Sequence, residues 1–493
     1  MKKVSIDPIT RLEGHGKIEI FLNDDGSVAN AYLQIPELRG FEKFAEGRPV
    51  EELPRITPRI CGVCPEAHMM ASAKACDAVY HVELPSTAKK LRELQYSAFY
   101  VGDHTTHFYA LGGPDFVMGP DADPAVRNII GVIGKVGVEI GKQVIQCRIW
   151  CHEVAKILGG KPVTPINAIP GGMSKGLNKE EAARIREIAD FTVGFAEFTL
   201  KIVHDIVLAN KAYVDLILSD PYTHATYNMG MVDDKNHTNF YDGKVRVVGP
   251  DGREHCKYEP KDYLKWVAER VEPWSYLKFP YLKQVGWKGF VDGVDSGVYK
   301  ATPLSRLNTS DGMATPKAQA AYEEFYDVLT GDRSGKKKVN QTLATHWARV
   351  VEIIYAAERF RELAYDEEIT GPNYRVIPTE KPDEGVGIVE APRGTLTHHY
   401  WTDENGIVKK ANLIVGTTNN NAPIAMSIKK AAQGIIQAGK EITEPVLNMI
   451  EMAFRAYDPC FGCATHSLPG QMPLVVSLRD AATGELIRQI RHL

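Results

Sequence analysis

The chain has 493 residues, of which 44% are hydrophobic and 24% charged, and its net charge is −4. That length exceeds one ordinary core, so a large body with subdomains, or about two to three domains, is expected of a soluble globular composition. The charge gives no reason to expect nucleic acid or anionic lipid as a partner. No segment reaches the roughly 18 unbroken apolar residues of a membrane span, and the N-terminus alternates instead of forming a signal peptide, so the chain reads as cytoplasmic.

Residues 3–35 alternate in period two around a turn at Asp24-Asp25-Gly26, which predicts a small antiparallel sheet within residues 1–50. From Ser86 the apolar period becomes helical, with Leu91, Leu94 and Phe99 on one face. A second helix is expected to start at Asp123-Pro124, a cap followed by proline, and to stop at Gly159-Gly160. A third begins with Asn178 and Glu181 in capping-box spacing and runs to Asp220-Pro221. Two more lie within TPKAQAAYEEFYDVL and NQTLATHWARVVEIIYAAERFRELAYD. Helices of this length pack side by side, so residues 86–220 and 314–366 predict a central bundle.

Between these blocks, residues 221–312 are rich in Gly, Pro, Asp and aromatics and read as an irregular α+β insertion. Lys336-Lys337-Lys338 reads as a solvated loop. Residues 385–416 alternate again, with Asp403-Glu404-Asn405-Gly406 as the turn of a second small sheet. The expected fold class is mainly α with small α+β parts: a bundle of long helices flanked by small antiparallel sheets.

Eight cysteines are too few for a disulfide scaffold in a chain this long. Four form two C-x-x-C pairs near opposite ends, Cys61 with Cys64 and Cys460 with Cys463, while Cys76, Cys147, Cys151 and Cys256 read as buried reduced thiols. Two intervening residues let both thiolates of a pair turn onto one metal, and the Gly in each loop permits the tight backbone. A four-sulfur site closed by N- and C-terminal loops would suit zinc, iron-sulfur or another transition metal that accepts soft ligands. Structural zinc usually closes a small local knob, whereas these pairs span nearly the whole chain. Each pair is also followed by a histidine, His68 and His466, surplus to a closed zinc site. A thioredoxin-like redox pair is weaker, because neither pair sits in an evident strand-to-helix turn of a parallel sheet.

These residues resemble the R-x-C-G-x-C-x-x-x-H and D-P-C-x-x-C-x-x-H signatures of nickel-iron hydrogenase large subunits, here Arg59 to His68 and Asp458 to His466. The likeness extends to Asp7-Pro8-Ile9-Thr10-Arg11-Leu12-Glu13-Gly14-His15, Leu38-Arg39-Gly40-Phe41-Glu42, Asp103-His104 and Glu390-Ala391-Pro392-Arg393-Gly394-Thr395-Leu396. It implies heterolytic oxidation of dihydrogen at a nickel-iron centre. Cys61 and Cys460 would bind nickel alone. Cys64 and Cys463 would bridge nickel to an iron that also carries carbon monoxide and two cyanides. Arg393 would be the base beside the open position or the charge that orients it, with Asp103, Asp458 and Pro392 around it, and Glu13 would first carry the proton outward. Glu42, the carbonyl of Leu413 and His466 would hold a third metal, magnesium or iron. His68 would donate to a bridging sulfur, and Thr417 would contact a cyanide.

The resemblance also implies partners: an iron-sulfur small subunit, further electron-transfer subunits of diaphorase, F420-reducing or heterodisulfide reductase type, a maturation endopeptidase and nickel-insertion proteins. The wording of the motifs looks most like the cytoplasmic group. The working body would be residues 1–466, with 440–466 as the C-terminal metal loop, and cleavage after His466 would remove a maturation extension, residues 467–493. Its apolar stretches PLVVSL and ELIRQI are expected to pair as a hairpin that holds the metal loop away from closure. The rival family reading, a metal-free relative such as the hydrogenase-related subunit of respiratory complex I, lacks the four thiolates.

Overall fold

The computed structural model describes residues 2–38, 40–464, 474–479, 483 and 485–492. Strands Lys2–Ile6, Lys17–Leu22 and Val28–Gln34 form one antiparallel sheet, with Ile20 paired to Val4 on one side and Ala31 on the other. Alternation is the cause: Ile18, Ile20 and Leu22 are buried, while the intervening residues stay half-exposed. The expected turn closes through Asp25, whose carboxylate accepts the Ser27 N–H at 2.9 Å, and Gly26 takes the positive φ of 88° that the turn needs.

The helical body centres on Thr345–Ala364, which packs against Ser86–Thr106, Lys179–Ile202 and Pro316–Thr330, while Ser86–Thr106 packs in turn against Val138–Gly159. Leu91, Leu94 and Phe99 face inward, as their spacing predicts. Asn178 accepts the Glu181 N–H at 2.8 Å and Glu181 accepts the Asn178 N–H at 3.1 Å, so the capping box forms in full.

The second helix does not start at Asp123-Pro124. Asp123 instead closes a turn on the Ala125 N–H, and the cap is Asn128, whose side chain accepts from Ile130 and Gly131. A short helix, Ile129–Val136, ends at Gly137, whose φ of 101° breaks it before Val138–Gly159 begins. An Asp-Pro pair serves a turn as well as a helix start, because both use the same side-chain acceptor. The third helix is interrupted too: Lys179–Ile202 passes into a π-helical turn, Val203–Leu208, and Asn210 caps a separate helix, Lys211–Leu218. Another π-helical turn, His107–Gly112, follows Ser86–Thr106.

The insertion holds a four-stranded sheet in the order Tyr299–Lys300, Tyr227–Val232, Lys244–Val248, Glu254–Tyr258, whose first pair is parallel, beside a hairpin of Val267–Val271 with Lys278–Leu282. Strands Glu384–Ala391, Gly394–Thr402 and Val408–Ile414 make the second antiparallel sheet. Helix Pro65–Val79 lies on that sheet unusually closely. A Cβ on Gly387 would stand 2.1 Å from the Ala71 carbonyl oxygen, so only glycine admits the helix there. The contact brings the residues just after Cys64 against the strand that leads to Arg393. In the C-terminal segment, Leu474–Arg479 pairs antiparallel with Leu486–His492, the hairpin expected of that stretch. No helix among the described residues is long and apolar enough to cross a membrane.

Candidate metal centre

Cys61 leaves the turn Thr57–Ile60 in extended backbone, and Cys64 is the N-cap of Pro65–Val79, whose proline occupies the first turn. Cys460 and Cys463 bracket the start of the short helix Phe461–Ala464. The remote pairs meet: Cys61 Sγ is 3.2 Å from Cys460 Sγ, Cys64 Sγ 3.6 Å from Cys463 Sγ, Cys460 Sγ 2.9 Å from Cys463 Sγ, and all four lie within 4.8 Å of one another. Thiolates at about 2.3 Å around one tetrahedral metal stand about 3.8 Å apart, so the donors suit a shared soft-metal site. All four are buried free thiols.

Electrostatics supports the same use. The N–H groups of Val63 and Cys64 both point at Cys61 Sγ, at 3.2 and 3.1 Å. Burial opposes ionisation of Cys61, but the three other thiols and Arg393 outweigh it and hold its thiol well below the ordinary range. Burial pushes Cys460 and Cys463 well above theirs. Four thiolates in one buried place therefore need cations to neutralise them.

The chain's opening segment is tied directly into this loop. Glu13 forms a parallel bridge with Cys460, its carbonyl accepts the Phe461 N–H at 3.1 Å, and its carboxylate accepts the Gly462 N–H at 2.8 Å. The same carboxylate oxygen is 3.1 Å from Cys460 Sγ. Burial, then the charge of Cys61, raises the Glu13 pKa. On the other side, the Thr417 hydroxyl accepts the Cys460 N–H at 3.0 Å.

Arg393 occupies the turn between Glu384–Ala391 and Gly394–Thr402. It donates to Asp103 at 3.1 Å and stands 2.8 Å from Asp458 in an ion pair that is not an aligned hydrogen bond. Burial disfavours its charge, yet Asp103 and Asp458 outweigh burial and keep the guanidinium protonated. Burial raises Asp103 and pushes Asp458 up to about 7 against the pull of Arg393. A small cavity beside the sulfurs is lined by Cys64, Cys463, His68, Pro392, Arg393 and Thr417 among others. His68 Nδ1 is 3.1 Å from His398 Nε2, and His398 Nδ1 is 2.6 Å from the Tyr400 hydroxyl.

The expected third-metal site is only partly assembled by the described residues. Glu42 and Leu413 do meet, but through the Leu413 N–H, which donates to Glu42 at 2.8 Å, rather than through its carbonyl. The buried ammonium of Lys278 also sits on Glu42, at 2.9 Å, and on Glu269, at 3.2 Å. These groups fall short of the roughly six oxygen donors of a magnesium site, and Lys278 already neutralises Glu42. His466 and Arg39 lie outside the described residues. The expectation that the tail hairpin keeps the metal loop open is also not met, because the sulfurs stand together in a chain that carries it.

Sequence reasoning missed the buried charges Lys278, Arg306, Arg349 and Glu352. Arg349 and Glu352 lie in an ordinary helical pattern and Lys278 and Arg306 in the irregular insertion, and no local signal marks them as interior. The apolar cavity of ≈ 780 Å³ between Phe108, Phe116 and Trp347 contains none of the cysteines or their charged neighbours.

A helical body that closes two remote cysteine pairs into one buried four-thiol cluster, backed by an arginine between two carboxylates, defines a redox metalloprotein component. The family model for nickel-dependent hydrogenase matches residues 39–126 and 224–466, and a HoxL-like model matches residues 3–38. The chain is 51% identical over 492 residues, the full length of both, to a protein of Archaeoglobus profundus named as an iron-sulfur subunit of F420-non-reducing hydrogenase. It is 39% identical over 500 residues, covering 99% of each, to the beta subunit of the NAD-reducing hydrogenase HoxS of Cupriavidus necator. The crystal structure of an NAD+-reducing [NiFe]-hydrogenase in the H2-reduced state superposes with a TM-score of 0.85 at 36% identity, covering 94% of this chain and all of that one. The chain belongs to the nickel-dependent hydrogenase family as its large subunit, and is an oxidoreductase that acts on hydrogen at a nickel-iron site.

Proposed function

We propose that the chain catalyses reversible heterolytic cleavage of dihydrogen, and that Cys61, Cys64, Cys460 and Cys463 would hold the nickel and the iron, the iron with carbon monoxide and cyanide as its further ligands. Bound there, the two metals would supply the Lewis acidity that polarises dihydrogen. The observation that carries the reading is the convergence of four buried thiols with Glu13 on one side and Arg393 on the other. Arg393, held charged by two carboxylates, acts as a fixed positive charge beside the cavity and not as a free base. Asp103 and Asp458 hold its fork in place. The proton leaves by way of the Cys460 sulfur to the Glu13 carboxylate, the acceptor within hydrogen-bond reach. His68 and Thr417 polarise the cavity wall, and Pro392 shapes it.

Electrons would pass first to an iron-sulfur small subunit, then to a soluble acceptor in the cytoplasm. The reading is supported by Val138, Ile145 and Ile149, exposed at helical spacing on Val138–Gly159. The same helix contributes Arg148, Cys151 and His152 to the lining of a cleft whose other wall includes Gly62, Val63 and Asp103. The relative named F420-non-reducing favours an acceptor other than F420. We take residues 1–466 as the working body and 467–493 as an extension cleaved after His466.

The test is metal content and hydrogen/deuterium exchange of the protein produced with its maturation machinery, against Cys61→Ser. Wild type should hold both nickel and iron and exchange dihydrogen with deuterated water, while the variant loses both nickel and exchange. Zinc as the sole bound metal, or exchange unchanged in Cys61→Ser, contradicts the proposal.

A further inference from the structure

The segment that carries Arg393 is held in an unusual way. Four consecutive carbonyls accept hydrogen bonds from side chains. Tyr96 and Tyr100 donate to Glu390 O, the latter at 2.8 Å. Arg306 Nη1 donates to Ala391 O and Nη2 to Pro392 O, both at 3.1 Å. Asn420 donates to Arg393 O at 2.7 Å. Arg306 is wholly buried, the only charged residue of helix Pro303–Thr309.

Its charge is balanced inside the fold. The Glu352 carboxylate accepts both Nε and Nη2, at 2.6 and 2.7 Å, and Glu390 pairs with Nη1 at 3.2 Å. Glu352 in turn lies 2.8 Å from His104 Nε2, and His104 directly follows Asp103 on Ser86–Thr106. Burial lowers the His104 pKa to about 3, so it meets Glu352 as a neutral donor. One network thus spans from the helix that carries Asp103, through Glu352 and Arg306, to the two peptide groups just before Arg393.

We infer that Arg306 is a positioning residue for hydrogen turnover: its fork clamps the Ala391 and Pro392 carbonyls and so sets where the Arg393 guanidinium stands relative to Asp103 and the cysteine cluster. The inference rests on the proposed role of Arg393. Only a planar fork can serve two carboxylates and two carbonyls at once; a lysine keeps the charge but loses that geometry.

A double-mutant cycle on the holoenzyme tests it, read as turnover per bound nickel together with KM for hydrogen. Arg306→Lys should lower turnover per nickel by about tenfold at unchanged KM, as expected when a reacting group is displaced without loss of the site. In an Arg393→Lys background the same change should add less than about twofold, because the group being positioned is already gone. An equal loss in both backgrounds overturns the inference, as does a loss confined to nickel content with turnover per nickel intact. Full turnover in Arg393→Lys alone overturns instead the reading on which the inference rests. Should Arg306→Lys yield no soluble holoenzyme, Asn420→Ser, which releases the Arg393 carbonyl together with the Asn420 bonds to the Ala301 peptide groups, enters the cycle with the same expected and contrary results.

Discussion

Glu13 touches the metal loop three times: its carbonyl accepts from Phe461, its carboxylate accepts from Gly462, and the same carboxylate lies against Cys460 Sγ; only the last of these contacts is chemical in character. The carboxylate near Cys460 Sγ can take a proton; the other two hold the loop. Glu13→Gln separates these roles, since the amide oxygen still accepts from Gly462 while the acid is gone. Exchange of dihydrogen with deuterated water should fall by at least about tenfold, with metal content retained. Undiminished exchange would take Glu13 out of the proton route. At this scale the four cysteines were legible from their own spacing, because metal ligation demands residue types that little else demands. Arg306, Glu352 and Lys278 were not. A charged residue becomes an interior one only through partners far away in the chain, as Arg306 does through Glu352 and Glu390, and no local pattern records that.

Among the elements, the contact of Pro65–Val79 with Glu384–Ala391 decides the site's geometry, for it joins the Cys61–Cys64 loop to the Arg393 turn. Gly385 and Gly387 allow that approach: added Cβ atoms would meet the Ala75 carbonyl oxygen at 2.4 Å and the Ala71 carbonyl oxygen at 2.1 Å. Gly387→Ala should therefore push helix and strand apart, costing about 3 kcal/mol of stability and reducing nickel retention even where the protein folds. A thermal denaturation midpoint and nickel content equal to wild type would show that the contact is looser than described. The sequence revealed long helices and alternating strands here because periodicity is local. It misplaced the start at Asp123 and overlooked the breaks at Gly137 and at Val203–Leu208, because a cap and a turn share the same side-chain chemistry and a π-helical turn preserves the apolar pattern around it.

Over the whole molecule, the N- and C-terminal parts of the chain close on each other at the cysteine cluster, with the helical body and the Glu384–Ile414 sheet as the frame between them. Only the cysteines announced that closure in advance; the strands and helices that achieve it carry no sign of which remote element each will meet. The closure also explains why the cavity beside the sulfurs is walled by residues from four separated stretches, around Cys64, Arg393, Thr417 and Cys460. On the proposed function this enclosure holds a nickel-iron pair dressed with small inorganic ligands, and infrared spectroscopy of the purified, matured protein is the decisive measurement. Absorption bands of iron-bound cyanide and carbon monoxide are expected in the wild type, and their loss when Cys64 and Cys463 are both replaced by serine. A protein that carries metal on its four cysteines yet shows no cyanide or carbonyl band would contradict the proposal.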